Sequence, residues 1–416
     1  MAIASAKQLR EMIDKSVEAV KLTDVHTHLY PPCFGDLLLW GIDDLITYHY
    51  LIAETFRWVD MPYETYWRRP KREQADLIWR TLFLENSPVA ESCRGVLTVL
   101  SALGLEVASR DLAAYRRHFD RLKVEDYVDT VFGLGGVREV ITTNDPFDDA
   151  ERKVWLESYQ PDPRFKAALR IDSLLNNWEG NWPRLAEWGY EVEGEINAKT
   201  AAEVRRFLTE WAKRMEAVYM AASLPPDFTL PDFLPRGLLV KECVLPVSEE
   251  LNLPFAMMIG VKKLVNPELR LAGDGVGKAS IETVEHLCSA HPRNKFMVTM
   301  LSRENQHELA VAARKFRNLM VFGCWWFLNN PSLVEEITRM RLELLGLSFL
   351  PQHSDARVLD QLVYKWKHSR RVIADALYDK YADLMATGWA LEESEIKRDV
   401  EKLFGGNFWA FLERQL

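Results

Sequence analysis

The octapeptide Leu22-Thr23-Asp24-Val25-His26-Thr27-His28-Leu29 (LTDVHTHL) follows a charged amphipathic opening and carries two histidines two residues apart. In an extended strand such residues share a face and lie about 6.5 Å apart along the chain. Both imidazoles can then converge on one cation at about 2.0–2.1 Å. A chance pair of histidines in a buried strand is the plain alternative, and these eight residues alone do not choose between the two.

Working outward, runs rich in apolar and β-branched residues recur at Val137–Thr143, Phe165–Ile171, Val218–Leu224, Pro254–Val261, Lys295–Leu301, Leu319–Trp325 and Leu347–Gln352. With the first run they number about eight, the count of a (β/α)8 TIM barrel. Amphipathic segments such as Ser280–Ala290, Glu304–Lys315 and Pro331–Leu345 suit crossover helices of a parallel sheet. The expectation is an α/β fold, a (β/α)8 barrel spanning 1–416 as one domain, with a doubly wound sheet as its rival. The first two runs lie too far apart for one barrel connection. A mainly helical insertion over 36–130 is therefore expected near the barrel mouth, including Asp44–Trp58, Lys71–Leu84 and Ser92–Leu103. A second helical stretch, Pro183–Ala217, precedes the fourth strand, and SLPPDFTLPDFLPRG after it reads as a stiff loop.

Apolar residues make up 48% of the 416, ample for a packed core, and 52 Lys and Arg against 61 Asp and Glu leave a net charge of -9. The basic residues are scattered, which argues against nucleic-acid binding. Fourteen Trp and thirteen Tyr give weak support to a sugar ligand. Five widely spaced cysteines without a Cys-x-x-Cys argue against a disulfide framework or a thiolate zinc site and fit a reducing cytoplasm. The opening MAIASAKQLREMIDKSVEAV reads as an amphipathic helix, not a signal peptide, and no apolar stretch nears the roughly 20 residues of a membrane span.

In a parallel barrel the working residues sit at the carboxyl ends of the strands. The candidates there are His26 and His28; Asn144 and Asp145; Arg170 and Asp172; Ser223; Lys262 and Lys263; Ser302 and Arg303; Trp325 and Trp326; and His353, Asp355 and Arg357. First and last strands of a closed barrel are neighbours, so Asp355 can join His26 and His28 in a three-ligand site with open positions. Its other reading is a cap for a helix beginning near Ala356.

DVHTHL, ITYHYL, GCWWFLNNP and HSDAR together resemble the uronate isomerases of the amidohydrolase superfamily, over nearly the whole chain. The resemblance implies interconversion of D-glucuronate with D-fructuronate and of D-galacturonate with D-tagaturonate. It places His26, His28 and Asp355 at the metal positions, and His49, Tyr50, Arg170, Trp325, Trp326 and Arg357 in active-site motifs. One departure stands out. Many family members have Leu-His-Ile-Gly on the fifth strand where this chain has MMIG, so Met258 replaces a histidine. Methionine is a poor ligand for a hard or borderline divalent ion, and the fourth strand has no lysine to bridge two metals, so one divalent ion, zinc by expectation, is anticipated.

An aldose–ketose conversion on these residues would use Asp355 as the base between C2 and C1, Tyr50 to exchange a proton with a substrate oxygen and His49 to orient it. Arg170 and Arg357 would hold the substrate carboxylate or enediolate, unless Asp172 claims Arg170 as a structural ion pair. Trp325 and Trp326 would supply an apolar wall or packing. The expected partner is a uronic acid, with no nucleic acid and no membrane, and homo-oligomerisation is open. The rival activity is metal-dependent hydrolysis of a sugar-acid lactone or amide, and a non-catalytic sugar-acid sensor is a third reading.

Overall fold

Near-continuous apolar runs such as FAMMI and FMVTM require cover on both faces, and a parallel sheet flanked by helices provides it. The computed structural model describes residues 2–416. The strands are β1 (Leu22–Thr27), β2 (Val137–Asn144), β3 (Phe165–Arg170), β4 (Met220–Leu224), β5 (Phe255–Ile259), β6 (Val261–Lys262), β7 (Gly275–Val276), β8 (Phe296–Met300) and β9 (Leu319–Val321). Seven of them form one parallel sheet in the order β1-β2-β3-β4-β5-β8-β9, while β6 and β7 make a separate antiparallel hairpin. The result is a mixed α/β fold on a curled, half-barrel sheet. Helices such as Glu282–Ala290, Gln306–Ala313 and Pro331–Leu345 follow the later strands, where the apolar periodicity placed them.

Seven of the eight expected runs become sheet strands. The eighth, Leu347–Gln352, does not: its one ladder contact is a parallel bridge between Leu350 and Phe322. Pro351 follows directly, and proline brings no N–H to a ladder. Leu350 N–H donates to Val321 O at 3.0 Å and Leu350 O accepts from Gly323 N–H at 2.8 Å. Further along, Asp355 N–H donates to His26 O at 3.1 Å and His28 N–H donates to Ala356 O at 2.8 Å. Residues 350–356 thus bond to both outer strands of the sheet through irregular backbone.

Between β1 and β2 the chain runs through helices, among them Ile42–Ile46, His49–Thr55, Lys71–Trp79, Glu91–Ala102 and Val124–Gly135. The single helix expected over Asp44–Trp58 is two. Tyr48 is extended (φ -67, ψ 143) and starts the second, while the Thr47 hydroxyl donates back to Asp43 O at 2.7 Å. Such local side-chain bonds compete with helix continuation. The break puts His49 and Tyr50 at a helix start.

These helices and the long helix Gln361–Ala386 share one apolar core, the sheet's outer face and its crossover helices share another, and a third fills the curl. No helix among the described residues is long and apolar enough to cross a membrane. A polar contact pins the first core: the fully buried Asp360 accepts from Tyr127 Oη at 2.5 Å and from Gly41 N–H at 2.8 Å. Removing one donor from a buried carboxylate costs about 1–3 kcal/mol. Tyr127→Phe should lower the free energy of unfolding in urea by that amount, and an unchanged midpoint would show the bond to be dispensable.

Candidate active site

β1 ends with His26 fully buried and His28 nearly so, and the curl brings Asp355 against both. Asp355 Oδ1 lies 3.3 Å from His28 Nε2 and 3.7 Å from His26 Nε2. One ligand atom from each of the three residues falls within 4.8 Å of the others. His26 Nε2 and Asp355 Oδ1 are buried without a hydrogen-bond partner. Buried polar atoms are normally paired, so two unpaired ones facing each other fit a cation held between them, and a histidine–carboxylate donor set suits a divalent one. Burial pushes the His26 imidazole down to about 3, with His28 beside it adding to the effect, and burial followed by the Arg357 charge keeps His28 well below its ordinary value. Both rings are therefore neutral, the state that ligates metals. Met258 is buried inside the curl.

Asp355 is not a helix cap, since the next helix begins only at Gln361. It stands at φ 52, in the left-handed region that L-residues avoid at a cost of about 1–2 kcal/mol. The preceding residue is gripped from both sides. Ser354 N–H donates to Asp24 Oδ1 at 3.0 Å, and Ser354 O accepts from Lys365 Nζ at 2.5 Å and from Asn329 Nδ2 at 3.0 Å. Trp366 Nε1 donates to the second Asp24 oxygen at 2.7 Å. Burial pushes the Asp24 carboxyl up to about 6 and the Lys365 amine down to about 8. Asp24, Lys365 and Asn329 were missed by sequence reasoning. Asp24 shares a strand face with His26 and Asn329 lies within GCWWFLNNP, so both carried a faint signal.

A cavity of about 460 Å³ opens beside the trio, lined among others by His28, His49, Tyr48, Arg170 and Arg357. Arg170 is held by Asp172 through two bonds of 3.0 and 3.2 Å, the structural pair anticipated, and that charge raises its pKa. Its side chain still reaches the cavity. Arg357 Nη2 lies 3.4 Å from His28 Nε2. Tyr50 packs edge-on against His49, with ring centroids 4.4 Å apart, and its buried hydroxyl lacks a partner. Burial raises that phenol well above its ordinary pKa, so it carries its proton.

Trp325 and Trp326 are buried and neither is among the side chains lining the cavity; Trp326 meets His49 edge-on at 5.7 Å. Several other strand-end residues are engaged elsewhere: Lys263 pairs with Asp274, Ser302 with Glu304 and Arg303 with Glu336. His353 is buried 5.1 Å from the His26 ring but stands outside the trio.

No protein-family model and no curated protein matches the chain, whereas solved structures do. A uronate isomerase from Thermotoga maritima (15% identity, TM-score 0.78, 97% of each chain covered) and a glucuronate isomerase from Caulobacter crescentus (16%, TM-score 0.77, 99% of this chain and 95% of that one) share the fold. A uronate isomerase from Bacillus halodurans C-125 superposes with a TM-score of 0.98 at 58% identity, over 99% of this chain and 98% of the other. Such identity across the full length of both proteins is far beyond a shared architecture: this chain belongs to the uronate isomerase family.

Proposed function

We infer that the protein is an aldose–ketose isomerase of uronic acids, interconverting D-glucuronate with D-fructuronate and D-galacturonate with D-tagaturonate. The observation that carries this is the end-to-end 58% identity with a uronate isomerase. The trio alone would equally suit activation of water for hydrolysis, and family membership decides against that reading.

In the proposed mechanism Asp355 removes the C2 proton of the ring-opened aldose. The C2–H electron pair becomes the C1–C2 double bond of an enediol as the C1 carbonyl oxygen takes up a proton. Asp355 then returns its proton to C1 while the C2 hydroxyl gives up its own to leave the ketone. One carboxylate on one side of the carbon chain serves both halves. Tyr50, protonated, exchanges the oxygen-bound proton, and His49, which packs on Tyr50 and lines the cavity, orients it or the substrate. Arg170 and Arg357 present guanidinium forks to the carboxylate and the developing enediolate. Trp326 supports His49 from behind, and Trp325 packs the interior.

The donor set supports one divalent ion, zinc, held by His26, His28 and Asp355. When bound it would polarise or anchor substrate oxygens. Residues 350–356, hydrogen-bonded to both outer strands, support a closed (β/α)8 barrel with an irregular eighth position. The helices of 36–130 are read as an insertion that covers its mouth, since Tyr48, His49, Trp67 and Lys71 all line the cavity. Five free cysteines fit a reducing compartment.

Incubation with D-glucuronate or D-galacturonate, followed by NMR, should show the ketose forming, and solvent deuterium should appear at its C1. Full retention of hydrogen would favour a hydride shift instead, and no turnover of either sugar would sink the assignment. Asp355→Asn should lose about 10²–10⁴ of kcat. Arg170→Lys keeps the charge but not the fork, and should raise KM about tenfold with the fold intact by circular dichroism. Metal analysis should find one zinc per chain, with removal by dipicolinate lowering the thermal midpoint. A chain that takes up no metal would overturn that part of the reading.

A further inference from the structure

Which ring nitrogen of each histidine faces Asp355 as a lone pair is decided by its neighbours, and at this site those neighbours are hydroxyls rather than carboxylates. Tyr219, fully buried just before β4, donates from Oη to Val25 O at 2.8 Å. A phenol has one proton, so toward His26 Nδ1, 3.3 Å away, the same oxygen can only accept. Thr143, buried on β2, donates from Oγ1 to Thr27 O at 3.2 Å and lies 3.0 Å from His28 Nδ1, so it too accepts from the ring. On the opposite side of His28, Nε2 faces Arg357 Nη2 at 3.4 Å. A guanidinium offers donors only, so a proton on that Nε2 would be set against another N–H.

We propose that Tyr219 and Thr143 are positioning residues that hold His26 and His28 as their Nδ1–H tautomers, so that both Nε2 lone pairs face the cation seat shared with Asp355. The seat and the tautomers both rest on the metal reading above, because without a cation the Asp355 carboxylate, 3.3 Å from His28 Nε2, would draw a proton there. Outer hydroxyls also set the strength of the site. Carboxylates behind metal-binding imidazoles raise their basicity, and outer-sphere substitutions typically change metal affinity 10–100-fold. Neutral acceptors orient the rings without that increment, which makes the ion more readily exchanged than in a carboxylate-backed site.

The test uses the zinc-loaded full chain, with ¹⁵N-labelled histidine, at a pH where both rings are neutral. Long-range ¹H–¹⁵N spectra, assigned with His26→Asn and His28→Asn, should show Nδ1 protonated and Nε2 bare in both rings. An Nε2–H tautomer in either one overturns the proposal. Zinc affinity by competition with a chromophoric chelator should fall about tenfold in Tyr219→Phe and in Thr143→Val and return in Thr143→Ser. Unchanged affinity in correctly folded Tyr219→Phe and Thr143→Val would also overturn it. A wild-type chain that takes up no zinc would sink the metal reading, whereas zinc uptake with an Nε2–H ring or with unchanged variant affinities would sink the proposal alone.

Discussion

The grip on Ser354 is the constraint on which the site depends. A carboxylate from β1 takes its N–H, an ammonium from the long helix takes its carbonyl, and an amide from the segment after β9 shares that carbonyl. Buried charges are costly unless paired and hydrogen-bonded. Asp24 and Lys365 do not touch each other in a direct salt bridge; they meet through one peptide unit, and each is satisfied by charge-assisted bonds roughly twice as strong as neutral ones. That arrangement over-determines the backbone at Asp355, which is how a non-glycine residue persists at φ 52. The left-handed turn aims the carboxylate inward, toward the two imidazoles.

The same grip explains why the eighth position need not be a strand. A regular strand would face alternate side chains inward at fixed spacing. Here Leu350 alone keeps the register with Phe322, and from Pro351 onward the backbone departs from it. His353 then lies against His26 and Phe322 while Asp355, two residues on, reaches both histidines. Gly323, at φ 66, makes room: a Cβ there would fall 1.9 Å from the His353 ring. Between β9 and β1, backbone bonds from the irregular segment 350–356 stand where a regular ladder would run.

Much of this was legible in the sequence, for identifiable reasons. His-x-His on a strand and an acidic residue just past the last predicted strand follow from two-residue periodicity and from the adjacency of first and last strands. Arg170 and its Asp172 partner sit two apart at a strand end, so their pairing was readable too. Strand existence was readable from composition, but the irregular eighth position was not, because Leu347–Gln352 has strand-like residues and only Pro351 speaks against it. Tyr48 offered no breaker: it is neither glycine nor proline, and the Thr47 hydroxyl bond to Asp43 O beside its extended backbone is invisible to a helical pattern.

The residues that escaped share a property. Asp24, Lys365, Asn329, Tyr219 and Thr143 act on backbone groups or on other side chains, not on the cavity, and for three of the five the partner lies more than a hundred residues away. Spacing rules capture residues that meet because they share one element; they do not capture donors that meet an acceptor across a fold. Trp325 and Trp326 show the converse. They were the most conspicuous letters of GCWWFLNNP, yet they pack the interior, and it is the quieter Asn329 of that motif that bonds to the backbone beside Asp355. A motif marks where the chain is constrained, and which of its residues carries the constraint is settled only by where the hydrogen bonds go.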